Sequence, residues 1–260
     1  MQCCLNSRLP AQMMPKADQI KFQYRDHNSI PDYIDYNKPI IIDCFEADID
    51  WKQMKIYHTL CRSGFYLCVS SPDDARKAND MSIDWYWGFP ITSFYEARAI
   101  ILLGSKYVKL GPPLFFDLLR FKALFPKVKI RHTPNIAYND NLPHLNGVSG
   151  TWIRPEDLVL YEDYIDVIEF EDCDRDKEQT LYDIYMVQKK WSTQLDLLIT
   201  NFNYGGINRM VPLDVAYHRL ECRQRCEEGA KCRICFRALN LANPELLKEI
   251  ADTQESSSLT

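Results

Sequence analysis

The chain is poor in glycine, with 9 in 260 residues. That excludes collagen-like and linker-rich architectures. It has no apolar run near the roughly 18 residues that a membrane-spanning helix needs, so no membrane partner is expected. Residues Met1 to Lys16 show no signal-peptide pattern, because Arg8, Pro10 and Lys16 interrupt any apolar core. A basic excess is also missing. The formal net charge is −5, so a broad nucleic-acid footprint is not expected, although a local basic patch is compatible with it. No GxGxxG follows a strand-like run, and GxxxxGK[ST], GxSxG and HExxH are missing too. This argues against dinucleotide-binding, P-loop, α/β-hydrolase and zincin readings.

What is present is the balance of a globular protein, 46% hydrophobic and 26% charged residues, which rules out global disorder. The length suits one large domain, or one domain with a small appendage. Without an export signal the expected compartment is the cytoplasm, where disulfides are disfavoured. The 10 cysteines then read as buried small hydrophobes, reactive thiols or metal ligands.

Short β-rich runs alternate with stretches of helical spacing. The runs are Pro39 to Phe45, Phe65 to Val69, Ile83 to Trp87, Tyr107 to Leu110, Val128 to His132, Thr151 to Arg154, Asp166 to Phe170 and Leu195 to Thr200. Helices are expected at 51–61 with Asp48 or Asp50 as N-cap, and after Ser70 to Asp73, where a cap precedes a first-turn proline. Others are expected at 93–103 with Gly104 closing it, 114–125, 155–164 and 177–190. Strands alternating with helices imply βαβ units and a parallel sheet. Eight such units favour an α/β fold of the (β/α)8 TIM-like barrel type over an open sheet, with the strand count good to one or two. The predicted organisation is a poorly periodic lead-in over 1–36, a barrel body over 37–210, a cysteine-rich segment over 211–252 and a disordered tail over 253–260. Within the lead-in, Ile20 to Tyr24 reads as an edge strand.

The densest chemical signal is Cys222, Cys226, Cys232 and Cys235, four thiols within fourteen residues around Gly229. Thiolates converging in that way suit a tetrahedral Zn²⁺ or an iron–sulfur cluster. Arg219, Arg223, Arg225, Lys231, Arg233 and Arg237 would offset the charge and favour deprotonation. Two disulfides or four unrelated thiols are the bland alternative. Cys44, Cys68, Cys61 and Cys173 read as core packing or unligated thiols.

Barrel chemistry sits at the carboxyl ends of the strands. The polar residues expected there are Asp43, Glu46, Lys109, Arg131, Asn135, Arg154, Glu169, Glu171, Asn201 and Asn203. A charge buried in a strand costs several kcal/mol unless it is paired. Lys109, Arg131 and Arg154 therefore read as binders of an anionic group, with Glu169 or Glu171 as partner or base. A structural ion-pair layer inside the barrel would give the same pattern. His132 and His144 are weaker acid–base candidates. Glycines at Gly111 and Gly147 to Gly150 admit a phosphate cradle.

Trp87 to Pro90, Tyr107 to Gly111, Pro113 to Leu118, Trp152 to Leu158 and the Cys222 to Cys235 block together resemble barrel segments of peptidase family U32. The resemblance spans about residues 39–235. It implies a barrel enzyme acting on a peptide, or on RNA in the manner of the tRNA and rRNA hydroxylation factors in that family. It also implies an iron–sulfur cluster on Cys222, Cys226, Cys232 and Cys235. The competing expectation is a non-catalytic binding or assembly protein with a structural zinc site.

Overall fold

The computed structural model describes residues 1–6, 18–23, 38–44, 47–115, 117–134, 153–170 and 175–190. In chain order the strands are β1 (Gln2–Asn6), β2 (Gln19–Gln23), β3 (Ile40–Asp43), β4 (Phe65–Val69), β5 (Asp84–Trp87), β6 (Pro90–Ile91), β7 (Tyr107–Leu110), β8 (Lys129–His132) and β9 (Val167–Phe170). The helices are α1 (Trp51–Leu60), α2 (Pro72–Asp80), α3 (Phe94–Leu103), α4 (Pro112–Phe115), α5 (Leu118–Leu124) and α6 (Arg175–Tyr182).

The helix boundaries follow local chemistry. Asp50 accepts from the amides of Lys52 and Gln53 and starts α1. Ser71 accepts from Asp74 N and is followed by Pro72 at the first helical position of α2. Ser93 accepts from Glu96 N, and α3 ends on Gly104 at φ +110°, a conformation that favours glycine. The expected helix over 114–125 is split into α4 and α5, and the one over 177–190 becomes α6 followed by a π-helical turn, Asp183–Gln188.

The nine strands of the described residues form one parallel sheet in the order β5-β4-β3-β2-β1-β9-β8-β7-β6. The two ends of that order are chain neighbours, separated only by Gly88 and Phe89. They are also joined laterally, because Lys106 N donates to Trp85 O at 2.9 Å and Gly111 N donates to Ile91 O at 2.8 Å. The sheet therefore returns on itself, with β5 and β6 acting as one interrupted strand beside β7.

Residues paired across parallel strands share a face. One face runs through Cys4, Gln19 and Lys21, then Ile41 and Asp43, Tyr66 and Cys68, Tyr86, Tyr107 and Lys109, Arg131, Val167 and Glu169. The opposite face carries Ile20, Ile40, Ile42, Leu67, Trp85, Val108, Ile130 and Ile168, packed with helix residues Met54, Ala78, Ala97, Ile100, Leu118 and Phe121 in one large apolar cluster. The first face keeps its own small cluster of Cys4, Ile41, Cys68, Tyr86, Tyr107 and Val167. The first face is thus the interior of the ring, and the second lies under the helices.

Several expectations change. Residues 153 and 154 are not in a strand, and Pro155–Tyr161 is a 3₁₀ turn rather than the start of a longer α-helix. Arg154 there holds φ −67° and ψ 149° ahead of a proline that lacks an N–H, a geometry suited to a turn opening rather than a ladder. The run at 195–200 lies outside the described residues, as do 135–152. Two strands come instead from the segment read as lead-in. β2 is no edge strand, since β1 and β3 flank it. It reads like an edge because Lys21 sits in the middle of it, but that lysine points into the interior, where carboxylates meet it. Among the described residues no helix is long and apolar enough to cross a membrane.

Candidate functional site

The ring positions charged side chains with unusual economy. Lys109, Arg131 and Glu169 are each the penultimate residue of a four-residue strand. Pleating sends all three inward, towards the carboxyl ends of the strands. Glu169 is fully buried and binds three cations: Lys21 Nζ at 2.7 Å, Arg131 Nε at 3.0 Å and Lys109 Nζ at 3.6 Å. Lys21 bridges on to Asp43 at 2.8 Å. Arg131 Nη1 donates to Gln19 Oε1 at 2.8 Å, and Gln19 in turn donates to Gln2 Oε1. The Arg131 guanidinium also lies 4.8 Å from the Tyr86 ring centre and 5.3 Å from that of Tyr107, which spreads its charge over two π faces. The Asp43 side chain is 16% exposed while Glu169 is at 0%, so the network rises from the buried centre towards solvent at the end of β3.

The electrostatics follow from this packing. Burial alone would raise the Glu169 carboxyl, but Lys109, Lys21 and Arg131 outweigh it and hold the group well below the ordinary carboxylate range. A carboxylate so strongly stabilised is a weak proton acceptor. Its chemical capacity is to anchor cations, the partner role among the two expected for it. Burial also opposes the charge on Arg131, yet Glu169 and its neighbours raise that group well above its usual value. Burial pushes the thiols of Cys4, Cys61 and Cys68 up to about 12 and that of Cys44 well above its ordinary value. These are inert packing thiols, as expected for Cys44 and Cys68.

Arg154 is bonded to a near neighbour in the chain. It forms a two-pronged pair with Asp157, with Nη2 to Oδ1 at 2.7 Å, and both residues are buried. It fixes the opening of the 3₁₀ turn. His132 faces away from the interior and stacks on Phe115, with ring centres 4.6 Å apart. Gly111 offers no cradle for phosphate, since its amide is spent on Ile91 O and an added Cβ would meet that oxygen at 3.2 Å. Glu46, Glu171, Asn135, His144, Gly147 to Gly150, Asn201, Asn203, Cys173, Cys222, Cys226, Cys232 and Cys235 lie outside the described residues. The chemistry of those last four donors suits Zn²⁺ or an iron–sulfur cluster. Among the described residues no group of three or more ligand-type side chains could hold a metal.

Sequence reasoning missed Lys21 and Tyr86 as members of the interior. The available signal for Lys21 was the one used for Lys109, a lone cation between apolar neighbours. A cleft of about 260 Å³ opens at the other end of the ring, lined by Gln2, Tyr107, Lys129, Glu162 and Asp166 among others. Asp166 is committed there to Ile130 N and Lys122 Nζ.

No family model and no curated protein matches the chain. Several solved structures resemble it, among them an aldolase and a designed cage. One is titled a 4-hydroxy-2-oxoglutarate aldolase/2-deydro-3-deoxyphosphogluconate aldolase, 11% identical, with TM-score 0.37, covering 64% of this chain and 82% of that one. The other is a cube-shaped, highly porous protein cage designed by fusing symmetric oligomeric domains. It is 12% identical, with TM-score 0.43, covering 99% of this chain and 86% of that one. Scores this low say nothing about activity.

Proposed function

We propose that the chain is a U32-like enzyme, built as a (β/α)8 TIM-like barrel that acts on an RNA or peptide substrate. Its reaction centre is the charged interior, and Cys222, Cys226, Cys232 and Cys235 form a metal centre carrying an iron–sulfur cluster or zinc. The observation that supports this reading is the buried group of Lys21, Lys109, Arg131 and Glu169 near the carboxyl ends of the strands, where barrel enzymes keep their chemistry. Lys109 and Arg131 supply positive charge to the substrate. Glu169 and Lys21 are positioning residues that hold those cations in place. Arg154 acts through Asp157 on the turn over 154–161. The metal, when bound, supplies redox or Lewis-acid chemistry, or else ties down the segment that holds it.

A second reading is a non-catalytic binding or assembly protein with a structural zinc. The same observation favours it in one respect: three cations clamped on one carboxylate also make a good structural layer. The two readings separate on Lys109→Met, which keeps length and apolar bulk and leaves Glu169 with two cations. The substitution is made in the full chain, expressed in cells whose RNA and peptides are then followed by mass spectrometry. The enzyme reading predicts a change, either an added oxygen on RNA or cleavage of a peptide, that is lost in the variant while the fold is kept. A variant that loses only stability, with no conversion by the parent, would support the assembly protein.

A further inference from the structure

Helix α3 is apolar on nearly every face. From Phe94 to Leu103 its only charged residues are Glu96 and Arg98. Ala97 and Ile100 face the core, while Tyr95, Arg98, Ala99 and Leu102 are exposed. The positions 95, 99 and 102 share one face of a helix. Among the described residues Tyr95, at 87%, and Leu102, at 76%, are the two most exposed large hydrophobic side chains. A helix that is apolar all round is normally buried on every side. The border of this stripe is basic. Arg98 stands on the exposed face, and the Arg120 guanidinium of α5 lies 4.9 Å from the Phe94 ring centre.

The sequence offers a matching segment at 243–252, which lies outside the described residues. Asn243 and Pro244 are a helix cap and a first-turn proline. Leu246, Leu247, Ile250 and Ala251 follow at the spacing of one helical face. Glu245, Glu249 and Asp252 fall on the other face, against the single cation Lys248, so the segment is acidic where the border of α3 is basic. Reach is sufficient. Even as a random coil, residues 191–242 would span on the order of 40 Å, more than the roughly 30 Å diameter of a small domain. A second copy of the chain is the weaker fit. An aromatic side chain contributes at most about 250 Å², so Tyr95, Ala99 and Leu102 fall well short of the roughly 800 Å² per partner that a stable dimer buries. A tethered segment needs less, because its effective concentration is in the millimolar range.

We propose that residues 243–252 dock as an amphipathic helix on the outer face of α3, with Leu246, Leu247 and Ile250 against Tyr95, Ala99 and Leu102. The docked helix closes the four-cysteine segment into a loop held at both ends, at Lys190 and at α3. This inference does not rest on the U32 resemblance, the substrate or the identity of any metal.

The test places a photoreactive benzoylphenylalanine at position 95 of the full chain, where the high exposure of Tyr95 lets the fold tolerate it. After irradiation the monomer and dimer fractions are separated and the crosslinked peptides are mapped by mass spectrometry. A crosslink from position 95 to 243–252 within one chain is expected. Its yield should fall at least about fivefold when Leu246→Glu and Ile250→Glu are added together, with the thermal transition unchanged. A crosslink joining two copies would overturn the proposal and make the face a self-association surface. A crosslink to another segment, no crosslink, or a yield that the double substitution leaves unchanged would also overturn it.

Discussion

Glu169 decides the character of the interior. It makes three ion pairs at full burial, and removing one partner from such a group leaves the others uncompensated. Glu169→Gln should therefore cost about 3–5 kcal/mol of unfolding free energy, measured by urea denaturation at pH 7. The pH dependence has a definite sign. The folded-state carboxyl is held well below its ordinary value, so its contribution is fully present above the unfolded-chain value of about 4.3. It is lost progressively as pH falls below that value towards the folded one. Urea titrations from pH 5 downwards should show the parent progressively losing this part of its stability and Glu169→Gln lacking that loss. Lys109, Arg131 and Glu169 were legible in the sequence because a charge flanked by apolar residues in a strand demands a partner. Lys21 obeys the same rule but was hidden, since its short run looked like an edge strand where a lysine can face water. Arg154 was legible as buried but not as part of a local pair, because Asp157 lies only one turn away.

At the scale of elements, caps and glycine signals carried the reading furthest. Asp50, Ser71 and Ser93 start their helices with a side-chain acceptor, and Gly104 ends α3 where a positive φ is needed. Asn79 near the end of α2 links three elements: its Nδ2 donates to Leu103 O of α3, and its Oδ1 accepts from Trp85 Nε1 of β5. Asn79→Ala should destabilise by about 1–3 kcal/mol, because the indole N–H of the buried Trp85 loses its acceptor. Gly104→Ala should cost about 1–2 kcal/mol for the left-handed backbone, and its Cβ would meet Asn79 Oδ1 at 3.3 Å. The two effects share a contact, so chemical denaturation of the double variant should show them to be non-additive. Strand runs with β-branched or aromatic residues were readable. β1 was not, because a five-residue run of Gln, Cys, Cys, Leu and Asn has neither a β-branched residue nor clean alternation. Its place is fixed by β2 and β9 on either side, which are distant in sequence.

For the molecule as a whole, the account depends on closure. β1 is the strand that joins the amino-terminal half of the ring to β9. Deleting residues 1–6 should leave two unpaired ladders and expose the interior charges to water, and the truncated chain should lose its cooperative thermal transition by circular dichroism. Among the described residues one apolar cluster lies inside the ring and another under the helices, the arrangement of a closed parallel sheet with outer helices. The alternation of strands and helices in the sequence carries the α/β class and the parallel sheet, while β1 and β2 lie in the segment whose weak periodicity reads as a lead-in. The functional account adds a second centre on the four clustered cysteines. Its most direct test is the metal content and visible spectrum of protein purified without oxygen, beside a variant with Cys222, Cys226, Cys232 and Cys235 all changed to serine. The account predicts bound metal in the parent, with about four irons and a broad visible absorption if the centre is a cluster or one colourless zinc if it is structural, and neither in the variant. A parent that binds no metal, or a variant that keeps it, would contradict the account.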